Sequence, residues 1–216
     1  MTQQVETHSV PTLTHGRVLV RPARTASARG VLVGFHGYGE NAAMQLQRLQ
    51  DLPGAASWTL LSVQGLHRFY DPRSNAVVAS WMTSEDRADA IADNLAYITA
   101  ALEGVHYSRS APIVFAGFSQ GAAMAYRAGC RGPVTASAII AVGGDVPPEL
   151  LEDRSVEFPR VLMLRGEADR WYGAEPFAED AAALSQRGVA VTALTLPGGH
   201  EWTADTAAVI GEFLAG

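Results

Sequence analysis

Strand-like apolar runs punctuate the chain at "RVLVR" (17–21), "GVLVGF" (30–35), "WTLLSVQ" (58–64), "PIVFAG" (112–117), "TASAIIAVGG" (135–144), "RVLMLRG" (160–166) and "VAVTALTL" (189–196). Several are continuous rather than alternating in polarity, the mark of strands covered on both faces. Between them the period changes. In "TSEDRADAIADNLAYITAALEG", Ile91, Leu95, Ile98 and Leu102 recur at helical spacing, and Thr83 with Asp86 offers a capping-box start. Farther on, Pro176 suits a first helical turn, Phe177, Ala181 and Leu184 form a stripe, and Gly188 supplies a stop. The closing "TADTAAVIGEFLAG" puts Val209, Ile210, Phe213 and Leu214 on one face.

Strand and helix therefore alternate, which predicts right-handed crossovers and a mostly parallel central sheet with helices on both faces. The expected organisation is one α/β domain over residues 1–216 without a separate cap. The stretches 65–82 and 145–159 read as irregular and are expected to shape a pocket mouth.

Composition narrows the function. A chain of 216 residues that is 48% hydrophobic can bury a large core. A net charge of −6 with no basic cluster argues against a nucleic-acid surface. Every basic residue is arginine, so Schiff-base catalysis by lysine is excluded. No run approaches the roughly 18 apolar residues of a membrane span, and the N-terminal residues lack the charged-then-apolar order of a signal peptide. A soluble cytoplasmic protein is the expectation; oligomeric state has no signature in the pattern. The lone Cys130 rules out an internal disulfide and a clustered thiolate metal site, and its place at a helix end fits an inert thiol.

Reactive groups in an open parallel sheet belong at the carboxyl ends of strands, where loops converge. Four ends carry complementary chemistry: "HGYGEN" after residue 35, "FSQGA" after 117, "EADRWYG" after 166 and "PGGHEW" after 196. In "GFSQG", Ser119 stands between Gly117 and Gly121 just after a strand and just before a helix. That is the placement of a nucleophile elbow, a tight turn that lifts the serine oxygen above the sheet. Ser119 needs a base, and His200 follows a glycine pair after the last strand. The base needs an acid to fix its tautomer. Asp169, just past "VLMLRG", completes the order Ser, Asp, His, with Asp145 after "AVGG" as its rival. Asp205 and Glu201 read as helix-start charges, His36 as a residue that shapes its loop, and His8, His15, His67 and His106 as unremarkable. For a developing oxyanion, the backbone N–H of Gln120 lies at a helix start and that of Tyr38 lies between Gly37 and Gly39.

Taken together, "HGYGEN", "SWMTSED", "GFSQGAAMA", "RGEAD" and "GGHEW" resemble the phospholipase/carboxylesterase family of α/β hydrolases, which includes the acyl-protein thioesterases, over about residues 30–214. The resemblance implies an α/β-hydrolase fold and hydrolysis of small carboxylic esters or thioesters without a metal or organic cofactor. By position it implies Ser119, Asp169 and His200 as the triad, with Tyr38 and Gln120 as oxyanion donors. Trp81 resembles a pocket-side tryptophan of that family and is also readable as core filler. The chain departs from the family after the acid, where Arg170, Trp171 and Tyr172 replace small apolar residues and proline. Trp81, Trp171, Tyr172 and Trp202 are the candidate pocket residues, and bulky aromatics there predict short to medium acyl groups.

Overall fold

The computed structural model describes residues 5–25, 28–108 and 110–216. Strands β1 (Arg17–Arg21), β2 (Gly30–Phe35) and β3 (Trp58–Gln64) fall where the apolar runs place them. Helix α1 (Ala42–Gln50), which the pattern reading did not single out, links β2 to β3 and starts at Asn41, whose side chain accepts from the Met44 N–H. The stretch 65–82 is not irregular. It holds a two-stranded hairpin, β4 (His67–Tyr70) and β5 (Val77–Ser80).

Helix α2 (Arg87–Glu103) leads to β6 (Ile113–Phe118), α3 (Gln120–Arg131) and β7 (Ala138–Val142). The expected capping box at α2 does not form: Asp86 sits in the left-handed region at φ 46° without a side-chain cap, and Thr83 instead accepts from the Glu85 N–H. The second irregular stretch contains the short α4 (Pro148–Glu152), followed by β8 (Arg160–Gly166), α5 (Ala174–Gln186), β9 (Val191–Leu196) and α6 (Ala204–Ala215). Gly188, at φ 77°, ends the α5 turn as expected.

The main sheet has seven strands in the order β1-β3-β2-β6-β7-β8-β9, parallel throughout except for β1 against β3. Successive side chains of one strand enter opposite cores. Val31, Val33 and Phe35 join Ile98 and Leu102 of α2, Met124 of α3 and Phe177 and Leu184 of α5; Leu32 joins Leu49 of α1 and Ile210 and Leu214 of α6. Both faces are therefore covered, which explains the unbroken apolar runs. Among the described residues, no helix is long and apolar enough to cross a membrane.

Candidate active site

The turn from β6 into α3 holds the backbone of Ser119 at φ 53° and ψ −122°, a conformation that costs a non-glycine residue on the order of 1–3 kcal/mol. The flanking glycines make it possible. A Cβ on Gly117 would lie 2.0 Å from the carbonyl oxygen of Gly121, and one on Gly121 would lie 2.2 Å from that of Phe35. The strand, the turn and the helix meet more closely than any side chain permits.

The Ser119 hydroxyl donates to His200 Nε2 at 2.8 Å, and His200 Nδ1–H donates to Asp169 Oδ2 at 2.9 Å. Because an ionised carboxylate only accepts, Asp169 selects the tautomer that leaves Nε2 free to take a proton. Asp169 Oδ1 in turn accepts from the backbone N–H groups of Trp171 at 2.9 Å and Tyr172 at 3.0 Å. Burial pulls the Asp169 carboxyl upward, yet the bonds from Tyr172, His200 and Trp171 together outweigh it and hold the group below the ordinary aspartate range. Its side chain is 1% exposed against 20% for the imidazole. The charge is shielded while the base reaches the surface.

Glycines also open this flank. A Cβ on Gly143, at φ 62°, would press on His200 Cε1 at 3.2 Å and Asp169 Oδ2 at 3.3 Å, and one on Gly166 would meet the Gly199 carbonyl at 2.1 Å. Asp145, the rival acid, is exposed and takes no part in the line of hydrogen bonds.

On the other flank, the β2-to-α1 loop carries Tyr38. Neither its backbone N–H nor that of Gln120 has an acceptor among the described residues. Three braces shape this loop. Buried His36 donates from Nδ1 to the Gly37 carbonyl at 2.7 Å and accepts at Nε2 from the Gly65 N–H at 3.0 Å. Burial lowers its pKa and keeps it neutral, as this bonding needs. Glu40 accepts from the Gly37 N–H at 2.8 Å and grips Arg48 with both oxygens at 2.6 Å. Gly39 N–H donates to the Ala79 carbonyl and Ala79 N–H to that of Glu40, which ties the loop to β5.

The Gln120 side chain adds a brace that motif reading missed. Its Oε1 accepts from the Trp81 N–H at 2.9 Å and the Ser80 hydroxyl at 3.2 Å, while Nε2 donates to the Met82 carbonyl at 2.8 Å. Only a side chain offering both an acceptor and a donor satisfies this set.

Of the aromatic candidates, Trp171 alone stands open beside the imidazole. It is 85% exposed, with its ring centroid 6.4 Å from that of His200. Trp81 is fully buried against Phe35 and donates its indole N–H to the His36 carbonyl at 2.8 Å, so it backs the loop rather than lining a pocket. Tyr172 is also buried, with its hydroxyl donated to Asp180 Oδ2 at 2.7 Å. Trp202 packs on the α1/α6 core across Arg48, whose guanidinium lies 4.4 Å above the Phe118 ring and 5.9 Å from the Trp202 ring. Trp81 and Tyr172 thus spend their rings on packing, whereas half-buried Trp202 lines a cavity with Arg48, Pro53 and Ala207. Cys130 is half-buried, and burial pushes its thiol up to about 12, in keeping with an inert role. Among the described residues, no cluster of three histidine, cysteine or acidic side chains could hold a metal ion.

Solved structures of similar architecture share this arrangement of sheet and helices. Esterase PE8 superposes with a TM-score of 0.71 at 22% identity, over 94% of this chain and 99% of that one. Zea mays acyl-protein thioesterase 2 gives 0.72 at 20% identity, over 93% and 98%. A carboxylesterase from Mesorhizobium loti gives 0.72 at 21% identity, over 95% and 98%. No protein-family model and no curated protein matches the chain by sequence. The protein has the α/β-hydrolase fold, in the form that these esterases and the thioesterase share.

Proposed function

We propose that the protein is a serine hydrolase of carboxylic esters that works through a covalent acyl-enzyme. The observation that carries the reading is the continuous line from the strained Ser119 through His200 to the shielded Asp169. A serine hydroxyl is a weak nucleophile at neutral pH and needs a base at hydrogen-bond distance. In the proposed cycle, His200 Nε2 takes the Ser119 proton as the oxygen attacks the ester carbonyl. The imidazolium then gives that proton to the leaving alcohol as the carbon–oxygen bond breaks. Water repeats the sequence on the acyl group, releasing the acid and restoring Ser119. Asp169 stays ionised and steadies the imidazolium. The backbone N–H groups of Tyr38 and Gln120 receive the oxyanion, aided by the N-terminus of α3.

Short to medium acyl esters are the proposed substrates, because the site has no separate cap among the described residues and Trp171 stands over its imidazole side. Thioester hydrolysis is the second reading. It draws on the same machinery and on the likeness to a plant acyl-protein thioesterase. One experiment tests both: an acyl-length series of p-nitrophenyl esters and matched thioesters, run on wild type and Ser119→Ala. Turnover should vanish in the variant while its folded state persists, and a fluorophosphonate should label wild type at Ser119. Undiminished turnover by folded Ser119→Ala, or labelling elsewhere, overturns the assignment.

A further inference from the structure

Behind the acid lies a second carboxylate that the proposed mechanism does not use. Asp180, on α5, places Oδ2 at 2.7 Å from the Tyr172 hydroxyl and at 3.0 Å from the Val146 N–H, and accepts from both. Each donor leads to one wall of the site. Tyr172 is the residue whose backbone N–H holds Asp169 Oδ1, and its buried ring packs edge-on against Phe177 with centroids 5.7 Å apart. Val146 closes the turn that begins with Gly143 and Gly144. Gly143 lies against His200 Cε1 and Asp169 Oδ2, and a Cβ on Gly144 would sit 2.5 Å from the Ser119 carbonyl oxygen. A single atom on α5 thus joins the loop after β7 to the loop after β8, just behind the Ser119–His200–Asp169 line.

We propose that Asp180 is a positioning residue for the hydrolysis proposed above: by anchoring Tyr172 and Val146 it sets the angle at which Asp169 meets His200. The inference rests on the ester-hydrolase reading for its kinetic consequence only, since the anchoring is a matter of geometry. Burial comes first among the influences on Asp180 and raises its pKa, with repulsion from Asp145 and Glu179 adding to it; the bonds from Tyr172 and Val146 oppose the rise. Nearby Tyr126 is fully buried, and its hydroxyl has no partner among the described residues. A half-buried acid set among like charges, yet bonded to two donors that lead to the site, is there for what it holds.

The variants are Asp180→Leu, Tyr172→Phe and Asp180→Asn. Leucine removes the acceptor, phenylalanine removes one donor with minimal change of shape, and asparagine keeps an oxygen able to accept both bonds. Two readouts apply, each on samples whose intact fold is checked by circular dichroism. The first is the low-field proton resonance of His200 Nδ1–H against Asp169, which needs no substrate. It should broaden or move upfield in Asp180→Leu and Tyr172→Phe and stay at its wild-type position in Asp180→Asn. The second is ester turnover per fluorophosphonate-titrated site. Here kcat should fall by up to about 100-fold in Asp180→Leu and less in Tyr172→Phe, with KM little changed, and Asp180→Asn should restore most of the rate. A resonance unchanged in both Asp180→Leu and Tyr172→Phe overturns the inference whatever the kinetics. A resonance that responds as expected in a protein without esterase activity supports the anchoring and overturns the ester reading instead.

Discussion

The two flanks of Ser119 are held by different means. On the side of Tyr38 and Gln120, the brace is a network of short-range polar contacts: neutral His36, the Glu40–Arg48 ion pair and the three-way Gln120 amide. On the side of Asp169 and His200, the loops are drawn together by glycine contacts and the half-buried carboxylate of Asp180. The first flank presents backbone N–H groups to a charge that exists only in transit. The second must hold a permanent charge, Asp169, against a ring that gains and loses a proton. Redundant polar bracing suits the first task, because donors need only be aimed. The second requires shielding from water, which narrows the means to burial and close packing.

The largest expected effect falls on the second flank. Asp169→Asn should leave the fold intact and cut kcat by about 10⁴-fold, since an amide favours the wrong imidazole tautomer and cannot balance its charge. Asp145→Asn, on an exposed side chain outside the line, should stay near wild type. Both are measured on one ester under one set of conditions. The reverse order of losses would move the acid to the preceding strand end.

On the first flank the expected loss is smaller. Glu40→Ala removes the acceptor of the Gly37 N–H and strands Arg48, so the loop bearing Tyr38 loses its aim without losing its donor. A kcat reduction of about 100-fold is expected, at the lower edge of what full removal of an oxyanion donor costs. Glu40→Gln keeps an acceptor for Gly37 but loses the ion pair, and should fall between the two. If Glu40→Ala turns over like wild type, the flank is redundant enough to dispense with its carboxylate.

Much of this organisation is legible in the sequence, and the misses share a cause. Strands β2, β3 and β8 have the bounds their apolar runs suggest, because a strand buried on both faces writes its extent directly into composition; β1, a partly exposed edge strand, also keeps its expected bounds, set off by Arg17 and Arg21 at its two ends. The loops after β2, β6, β8 and β9 could be matched to the site because parallel topology brings strand ends together. Orientation is harder to read. Adjacent Trp171 and Tyr172 both donate a backbone N–H to Asp169, yet one side chain faces solvent and the other is buried, with its hydroxyl on Asp180 of the following helix, a contact that no local pattern announces. Trp81 was ambiguous for the same reason: its indole N–H finds an acceptor in His36, a residue distant in sequence. The β4–β5 hairpin escaped notice because only one of its strands is substantially buried.

The charge on Asp180 gives the acid flank a signature in stability. Its pKa in the folded protein lies above that of the unfolded chain, chiefly through burial, so the folded state holds its proton more tightly. Stability from this group is therefore fully present below the unfolded value, about 3.9, and declines as pH rises through the folded value. Asp169 and Glu149 are shifted the other way and lose stability as pH falls. Asparagine is uncharged in both states. The difference in unfolding free energy between wild type and Asp180→Asn should thus decrease across that window and level off above it, as read from urea titrations at successive pH values. A difference that grows with pH would mean that the Asp180 carboxylate is held ionised more firmly than in the unfolded chain.

The smallest effect belongs to the residue that stands most in view. Trp171 is 85% exposed, so truncating it removes almost no buried area, and its backbone N–H still reaches Asp169 in the alanine variant. Trp171→Ala should therefore change stability by no more than about 0.5 kcal/mol. Tyr172→Ala, one position on, empties a buried site and should cost about 3–5 kcal/mol, the range for large aromatic truncations. With the triad undisturbed, Trp171→Ala should also keep its kcat on a small ethyl ester. Any loss should show as a raised KM on esters bulky enough to lie against the indole beside His200. Chemical denaturation of the two variants side by side checks the first claim, and KM on a small and a bulky ester checks the second. Equal destabilisation by both truncations would mean that the indole packs against the protein, and the open face beside His200 would have to be drawn again.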